Sequence, residues 1–219
     1  AMKKGLLDSV PEKLLNASVK SSKWQEDFRI KHKGTRAENV MPEHIKYKEN
    51  LGFVPMDKCK ESVSYGLEMA YYDWCIAQMA DYLGAEELLQ AYQAKGKAYT
   101  YYFDKETSFM RGKMSDGRWD PNFDPNFSDH MESAFVEGNS WQWTPFVLHD
   151  PNGLAELMGG KKAFGDWLDK LFTTSSKVTG ENASGDITGL IGQYAHGNEP
   201  SHHIPYLYQF TARPWRTQE

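Results

Sequence analysis

The 219 residues are 40% hydrophobic and 14% aromatic, enough to build one sizeable core, and 25 basic against 30 acidic side chains leave a formal net charge of −5. That balance lacks the basic footprint that phosphate backbones select, which argues against nucleic acid as a partner. No apolar run approaches the roughly 20 residues a membrane span requires, and the start AMKKGLLDSV has neither the apolar core nor the cleavage site of a signal peptide. Ala1 before Met2 reads as a tag remnant, leaving residues 3–219 as a single domain.

In chain order, Ser9-Val10-Pro11 followed by EKLLNASVKSSKW predicts a capped helix with proline in its first turn. Lys60–Leu83 carries Val63, Leu67, Ala70, Tyr71, Trp74, Ala77, Gln78 and Tyr82 at helical spacing, which predicts a long, mostly buried helix. Cys59 and Cys75 lie at the two ends of this stretch as its sequence reads, about 24 Å apart along a straight helix, so no disulfide is expected. Gly84 ends the helix, and Ala85 to about Tyr102 predicts an amphipathic partner running back as an antiparallel hairpin. Thr107–Asp129, rich in Gly, Asp, Asn and Pro, reads as loop or short hairpin, with Phe109–Gly112 and the residues beside Trp119 able to pair briefly. Asn152–Met158 and Lys161–Phe172 predict a further helical pair around Gly159-Gly160, and Pro200–Phe210 a last helix. The class is all-α, with helix hairpins side by side and long loops at one end, as in an α/α toroid or part of one.

Two clusters carry chemistry. In FVEGNSWQWTPFVLHD, Asn139 is a natural N-cap, which leaves Glu137 free to project from the preceding loop. If the helix starts earlier, Glu137 and Trp141 share a face, and an apolar neighbour raises a carboxyl pKa as a general acid requires. A glutamate before a helix is also commonly structural, so the residues alone leave both readings open. The second cluster, GQYAHGNEPSHHIPYLY, packs His196, Asn198, Glu199, His202 and His203 into eight residues. Glu199 and His202 have Glu-x-x-His spacing, but no matching second copy or third zinc ligand can be named. A donor- and oxygen-rich surface suits a hydroxyl-rich ligand or a hard cation such as Ca²⁺, while the plainer reading has Ser201 as an N-cap and the histidines bonded to backbone. Trp119, Phe123, Phe127, Trp141, Trp143, Tyr194, Tyr206 and Tyr208 flank these clusters as sugar platforms or as core.

The strings SVSYGLEMAYYDWCIAQMADYLG, FVEGNSWQWTPFVLHDPNGLAELMGG and SGDITGLIGQYAHGNEPSHHIPYLYQFTARPWRTQ closely resemble the calcium-dependent exo-α-mannosidases of glycoside hydrolase family 92, from about Leu6 to Gln218. The resemblance implies an (α/α)6 toroid, inverting hydrolysis of terminal α-mannosides, and a Ca²⁺ ion that helps bind the mannose ring. Glu137, in the E-G-N-x-W-Q motif, is then the expected general acid. Trp141, Gln142, His196, Asn198, His202 and His203 are the expected substrate contacts, and Gln193 and Glu199 the expected metal ligands. The family's base, an aspartate in a G-N-D-D-x-G motif, has no counterpart in these 219 residues. The expectation is therefore the N-terminal part of a toroid, inactive by itself and able to self-associate through half-barrel surfaces, from an enzyme that is periplasmic, cell-surface or secreted. Members that cleave α-1,2 bonds are expected to carry a His-Glu pair before the Gln, and Gly185–Leu190 has none, which puts α-1,2 specificity in question. The alternatives are a non-catalytic carbohydrate- or calcium-binding helical module and a purely structural helical domain.

Overall fold

The structure, a computed structural model, describes residues 11–130 and 132–219. Helix α1 (Pro11–Ser21) starts on its proline; Ser9 and Val10 lie outside the described residues. Short helices α2 (Glu26–Lys31) and α3 (Glu43–Leu51) lead to the central α4 (Ser62–Tyr82). Buried side chains recur along α4 from Ser62 to Ala80 on more than one face, as its dense apolar pattern predicts. Gly84, at φ 67°, turns the chain into α5 (Glu86–Gly96), which runs back along α4. Tyr92 of α5 packs with Ile76, Ala77 and Ala80 of α4 and Leu15 of α1. Gly96 lies against Trp74, where an added Cβ would sit 3.3 Å from the tryptophan Cβ.

The second helix of the hairpin is shorter than its sequence predicts. After Gly96 the chain tightens into a 3₁₀ segment, Ala98–Tyr101. In a 3₁₀ turn, residues i and i+3 eclipse, so Tyr99 and Tyr102 enter the core together, and both are buried. The Tyr102 ring fills the space left by Gly66, and its hydroxyl accepts the Val54 N–H at 2.7 Å. The last predicted helix also becomes 3₁₀, as Glu199–Ser201 and Ile204–Phe210. Pro200 and Pro205 lack the N–H that regular helix bonding needs, and the tighter turns accommodate them.

Strands β1 (Phe103–Asp104) and β2 (Phe109–Met110) pair antiparallel, with Phe103 opposite Met110, so Phe109-Met110 pairs backwards along the chain. The predicted contact near Trp119 is made by Lys113, and Gly112 accepts the Asp120 N–H at 2.9 Å. Helix α6 (Ser140–Trp143) is followed by α7 (Pro151–Leu157) and α8 (Lys161–Thr173), joined through Gly159 and Gly160 at φ 96° and 105°. Strands β3 (Leu190–Ile191) and β4 (Tyr194–Ala195) form a second small hairpin. The main core joins Leu67 of α4, Trp141 and Trp143 of α6, Leu154 of α7, and Phe164, Leu168 and Leu171 of α8 with Ile204 and Leu207. Cys59 and Cys75 are free thiols, and burial pushes the Cys59 thiol up to about 11, where it stays protonated at neutral pH. Among the described residues no helix is long and apolar enough to cross a membrane.

Candidate active site

The first turn of α4 and the segment before Glu137 are tied together by backbone bonds. A helix start leaves N–H groups without partners inside the helix, and here the chain 70 residues further on supplies them. Glu61 donates to the Ser133 carbonyl at 2.9 Å, and Val63 and Ser64 donate to Ala134 at 3.0 and 3.4 Å. The Ser64 hydroxyl accepts the Val136 N–H at 2.9 Å, and the Trp143 indole donates to the Val136 carbonyl at 2.7 Å.

Glu137 is the next residue, in the left-handed region at φ 47° with its side chain exposed. A non-glycine residue persists there only where its surroundings hold it. The Asn198 amide donates to the Glu137 carbonyl at 2.8 Å. Gly138 follows in a tight place, where a Cβ would lie 3.1 Å from Trp143 Nε1 and 3.3 Å from Gln142 Oε1.

Asn139 is the N-cap of α6: its Oδ1 accepts the Trp141 N–H at 3.0 Å, while Gln142 Oε1 accepts the Asn139 N–H at 2.7 Å in a reciprocal capping box. The cap extends into a knot of three carboxamides. Asn139 Nδ2 donates to Gln193 Oε1 at 3.0 Å, Gln142 Nε2 donates to the Gln193 carbonyl at 2.6 Å, and Gln193 Nε2 donates to the carbonyls of Ser175 and Lys177 at 2.7 and 3.0 Å. Asn139 and Gln193 are 0% exposed and Gln142 4%. A buried network with this many bonds satisfied fixes one geometry, because any displacement leaves polar groups stranded away from water.

The remaining sequence-predicted site residues divide by depth. Trp141 is 4% exposed, edge-on to Phe109 with ring centroids 4.6 Å apart, next to Trp167, and donates to Asn126 Oδ1 at 3.0 Å. The indole beside the glutamate loop is therefore Trp143. His203 is held by the Pro145 carbonyl at 2.9 Å and edge-on to Phe146; burial lowers its pKa, against the raising effect of its backbone partners. His196 and His202 are exposed, with rings 5.4 Å apart. The Tyr194 hydroxyl meets His196 Nδ1 at 2.9 Å, and His202 Nε2 meets the His196 carbonyl at 2.9 Å. Asn198 joins this group to Glu137. Ser201 sits inside a 3₁₀ turn, and the cap before that turn is Asn198.

Gln193 and Glu199 do not form a calcium site by themselves. A hard cation of this size takes six to eight oxygens, whereas the Gln193 Oε1 is engaged by Asn139 in the closed knot and Glu199 is exposed. Among the described residues no group of three His, Cys, Asp or Glu side chains is placed to hold a metal.

Trp143 is one of the aromatics that flank the cluster as sugar platform or core, and its spacing two residues beyond Trp141 is the available signal, whereas Ser64 has no site role on sequence grounds. A serine near a helix start ordinarily caps its own helix.

The chain is similar in structure to solved glycosidases. A family GH92 α-mannosidase from Bacteroides thetaiotaomicron, solved with mannoimidazole, is 36% identical with a TM-score of 0.72, the match covering 84% of this chain and 25% of that one. A family GH92 inverting mannosidase from Bacteroides thetaiotaomicron VPI-5482 is 33% identical with a TM-score of 0.75, covering 95% of this chain and 28% of that one. An uncharacterized secreted glycosidase of Arthroderma benhamiae is 26% identical over 174 residues, 70% of this chain and 20% of that protein. The class is thus a helical glycosidase domain, its hairpins part of an α/α toroid. The sequence model of the glycosyl hydrolase family 92 catalytic domain matches residues 1–219, and the chain belongs to that family. It spans about a quarter of the length of the solved relatives it matches.

Proposed function

We propose that this chain is the acid-bearing part of an inverting α-mannosidase, with Glu137 protonating the glycosidic oxygen as the bond to the anomeric carbon breaks. The observation that carries the proposal is the conformation of Glu137: an exposed carboxyl on a left-handed, non-glycine residue whose flanking backbone is bonded to Ser64, Trp143 and Asn198. Holding a proton donor at a fixed point is the protein's main contribution to this step, and strain of this kind collects where function requires it. Inversion needs a second carboxylate on the opposite face of the sugar to activate water, and that base is proposed to lie outside this chain.

In this reading Asn198, His196 and His202 border the sugar beside Glu137, and His203 supports them from below. Trp141, Gln142 and Gln193 act through the loop they hold, since all three are buried. Calcium is proposed only for a longer enzyme that adds oxygen ligands to Glu199, and no step here depends on it. A place outside the cytoplasm fits the secreted fungal relative.

The test is release of nitrophenol from p-nitrophenyl α-mannoside. The chain alone is expected to release none, and joining it to the remaining part of a family 92 catalytic domain is expected to restore release that Glu137→Gln removes. Turnover by the chain alone, abolished by Glu137→Gln, would show that the base lies within it.

A further inference from the structure

A pocket of about 300 Å³ opens on the α4–α5 hairpin, away from the glutamate loop. Ten residues of α4 separate Ser64, which holds that loop, from Trp74 in the pocket wall, a distance of about 15 Å along the helix axis. Trp74 and Gln78, an i, i+4 pair on α4, face Gln93 on α5 and Lys97, the residue that caps the end of α5, across the same space. His149 and Asp150, at the entry to α7, close it.

The groups divide into those already committed and those that are free. Asp150 is committed: Lys97 pairs with it, the Tyr99 hydroxyl donates to it, and it caps α7 by accepting the Gly153 N–H at 3.1 Å. His149 Nε2 is on the Gly96 carbonyl at 2.7 Å. Trp74 is stiffened by Tyr71, stacked with ring centroids 6.0 Å apart. The carboxamides of Gln78 and Gln93 and the indole N–H of Trp74 have no hydrogen-bond partner among the described residues, although all three line the pocket.

The charges of Lys97 and Asp150 cancel, so the pocket does not select an ion. Two free amides make it too polar for a purely apolar ligand. One rigid indole with amides around it suits a ligand with an apolar face and hydroxyls at its edge, and the volume is at the small end of ligand pockets. We propose that this pocket is a second saccharide-binding site, holding one sugar ring against Trp74 with its hydroxyls bonded by Gln78 and Gln93. Such a site retains glycan on the protein without taking part in bond cleavage, and it stands whether or not Glu137 is the acid.

The experiment is a titration of the ¹⁵N-labelled 219-residue chain with methyl α-D-mannopyranoside, with glycerol as the comparison. The expected result is saturable, millimolar-range shifts at the Trp74 indole and at the Gln78 and Gln93 side-chain amides, retained in Glu137→Gln. The double variant Gln78→Leu, Gln93→Leu changes side chains that bond to nothing in the fold, and it should weaken the affinity, read at the Trp74 indole, at least about tenfold, the equivalent of two modest hydrogen bonds. Trp74→Ala should abolish the shifts at the Gln78 and Gln93 side-chain amides. Absence of saturation, equal shifts with glycerol, unchanged affinity in the double variant, or loss of the shifts in Glu137→Gln would each overturn the proposal.

Discussion

The α4–α5 hairpin and the glutamate loop are both rigid, but different forces hold them. In the hairpin, apolar side chains repeat at helical spacing and bury against near neighbours in the chain, so periodicity both predicts and stabilises it. The loop around Glu137 packs Phe135 and Val136 on the main core, but its course is fixed by hydrogen bonds to groups far away in sequence. Val136 and Ser64 are 72 residues apart, Asn198 and Glu137 61, and Gln193 and Asn139 54. Packing tolerates small changes gradually, whereas a polar knot fails when one member is removed, because its partners are left buried and unbonded.

That contrast can be broken from either side. The largest expected effect is Gln193→Ala, which leaves the Asn139 amide only its 3.4 Å bond to the Asn126 carbonyl and strips two further carbonyls of their donor, and should cost about 4 kcal/mol in denaturant unfolding. A loss near that of an ordinary surface substitution would show the knot to be dispensable. Gly66→Ala tests the packing side: its Cβ would lie 2.0 Å from the Tyr102 hydroxyl, and overpacking should outweigh the gain in helix propensity by about 2–3 kcal/mol. Asn139→Ala removes the α6 cap and one bond of the knot, for about 2 kcal/mol. Ser64→Ala leaves the Val136 N–H unbonded and should cost about 1 kcal/mol, with faster amide exchange at Val136 as its specific signature.

The smallest expected effect is on pH dependence, and each region supplies one histidine. Burial lowers the pKa of His149, beside the hairpin, and of His203, beside the site, in each case against raising effects from backbone partners. A histidine kept neutral in the fold but able to bind a proton when unfolded contributes no pH dependence well above 6.5 and lowers stability as pH falls below that value. Chemical denaturation at pH 7 and pH 5 should show the drop, reduced in His149→Gln and again in His203→Gln. An unchanged slope in both variants would place the titrating groups elsewhere.

Three of the longer helices were legible in the sequence, since α4, α7 and α8 begin and end within two residues of where spacing and glycines put them. Helices α2 and α3 and the β3–β4 hairpin are too short to show a period, and where a helix was expected and shortened the cause is local. Ala85–Tyr102 and Pro200–Phe210 have helical spacing, but the first tightens to bring Tyr99 and Tyr102 inward and the second gives way to its prolines. Of the site, Asn139 could be read as a cap because capping is local. The bond from Ser64, the carbonyls met by Gln193, and the identity of the indole beside the loop could not, because each depends on how distant segments meet. The left-handed backbone of Glu137 had no signal at all, since glutamate has no preference for that region and only the following Gly138 hints at a crowded turn.

The central claim, that Glu137 is a proton donor held in place by this knot, is tested most directly by leaving-group dependence. In a protein that joins this chain to the rest of a family 92 catalytic domain, kcat/KM is measured for Glu137→Gln and the parent on an alkyl α-mannoside and on 2,4-dinitrophenyl α-mannoside. A poor leaving group needs the proton and a good one does not, so the account predicts a loss of roughly 10²–10⁴-fold on the alkyl mannoside and less than about tenfold on the dinitrophenyl one. Equal losses on both substrates would contradict it.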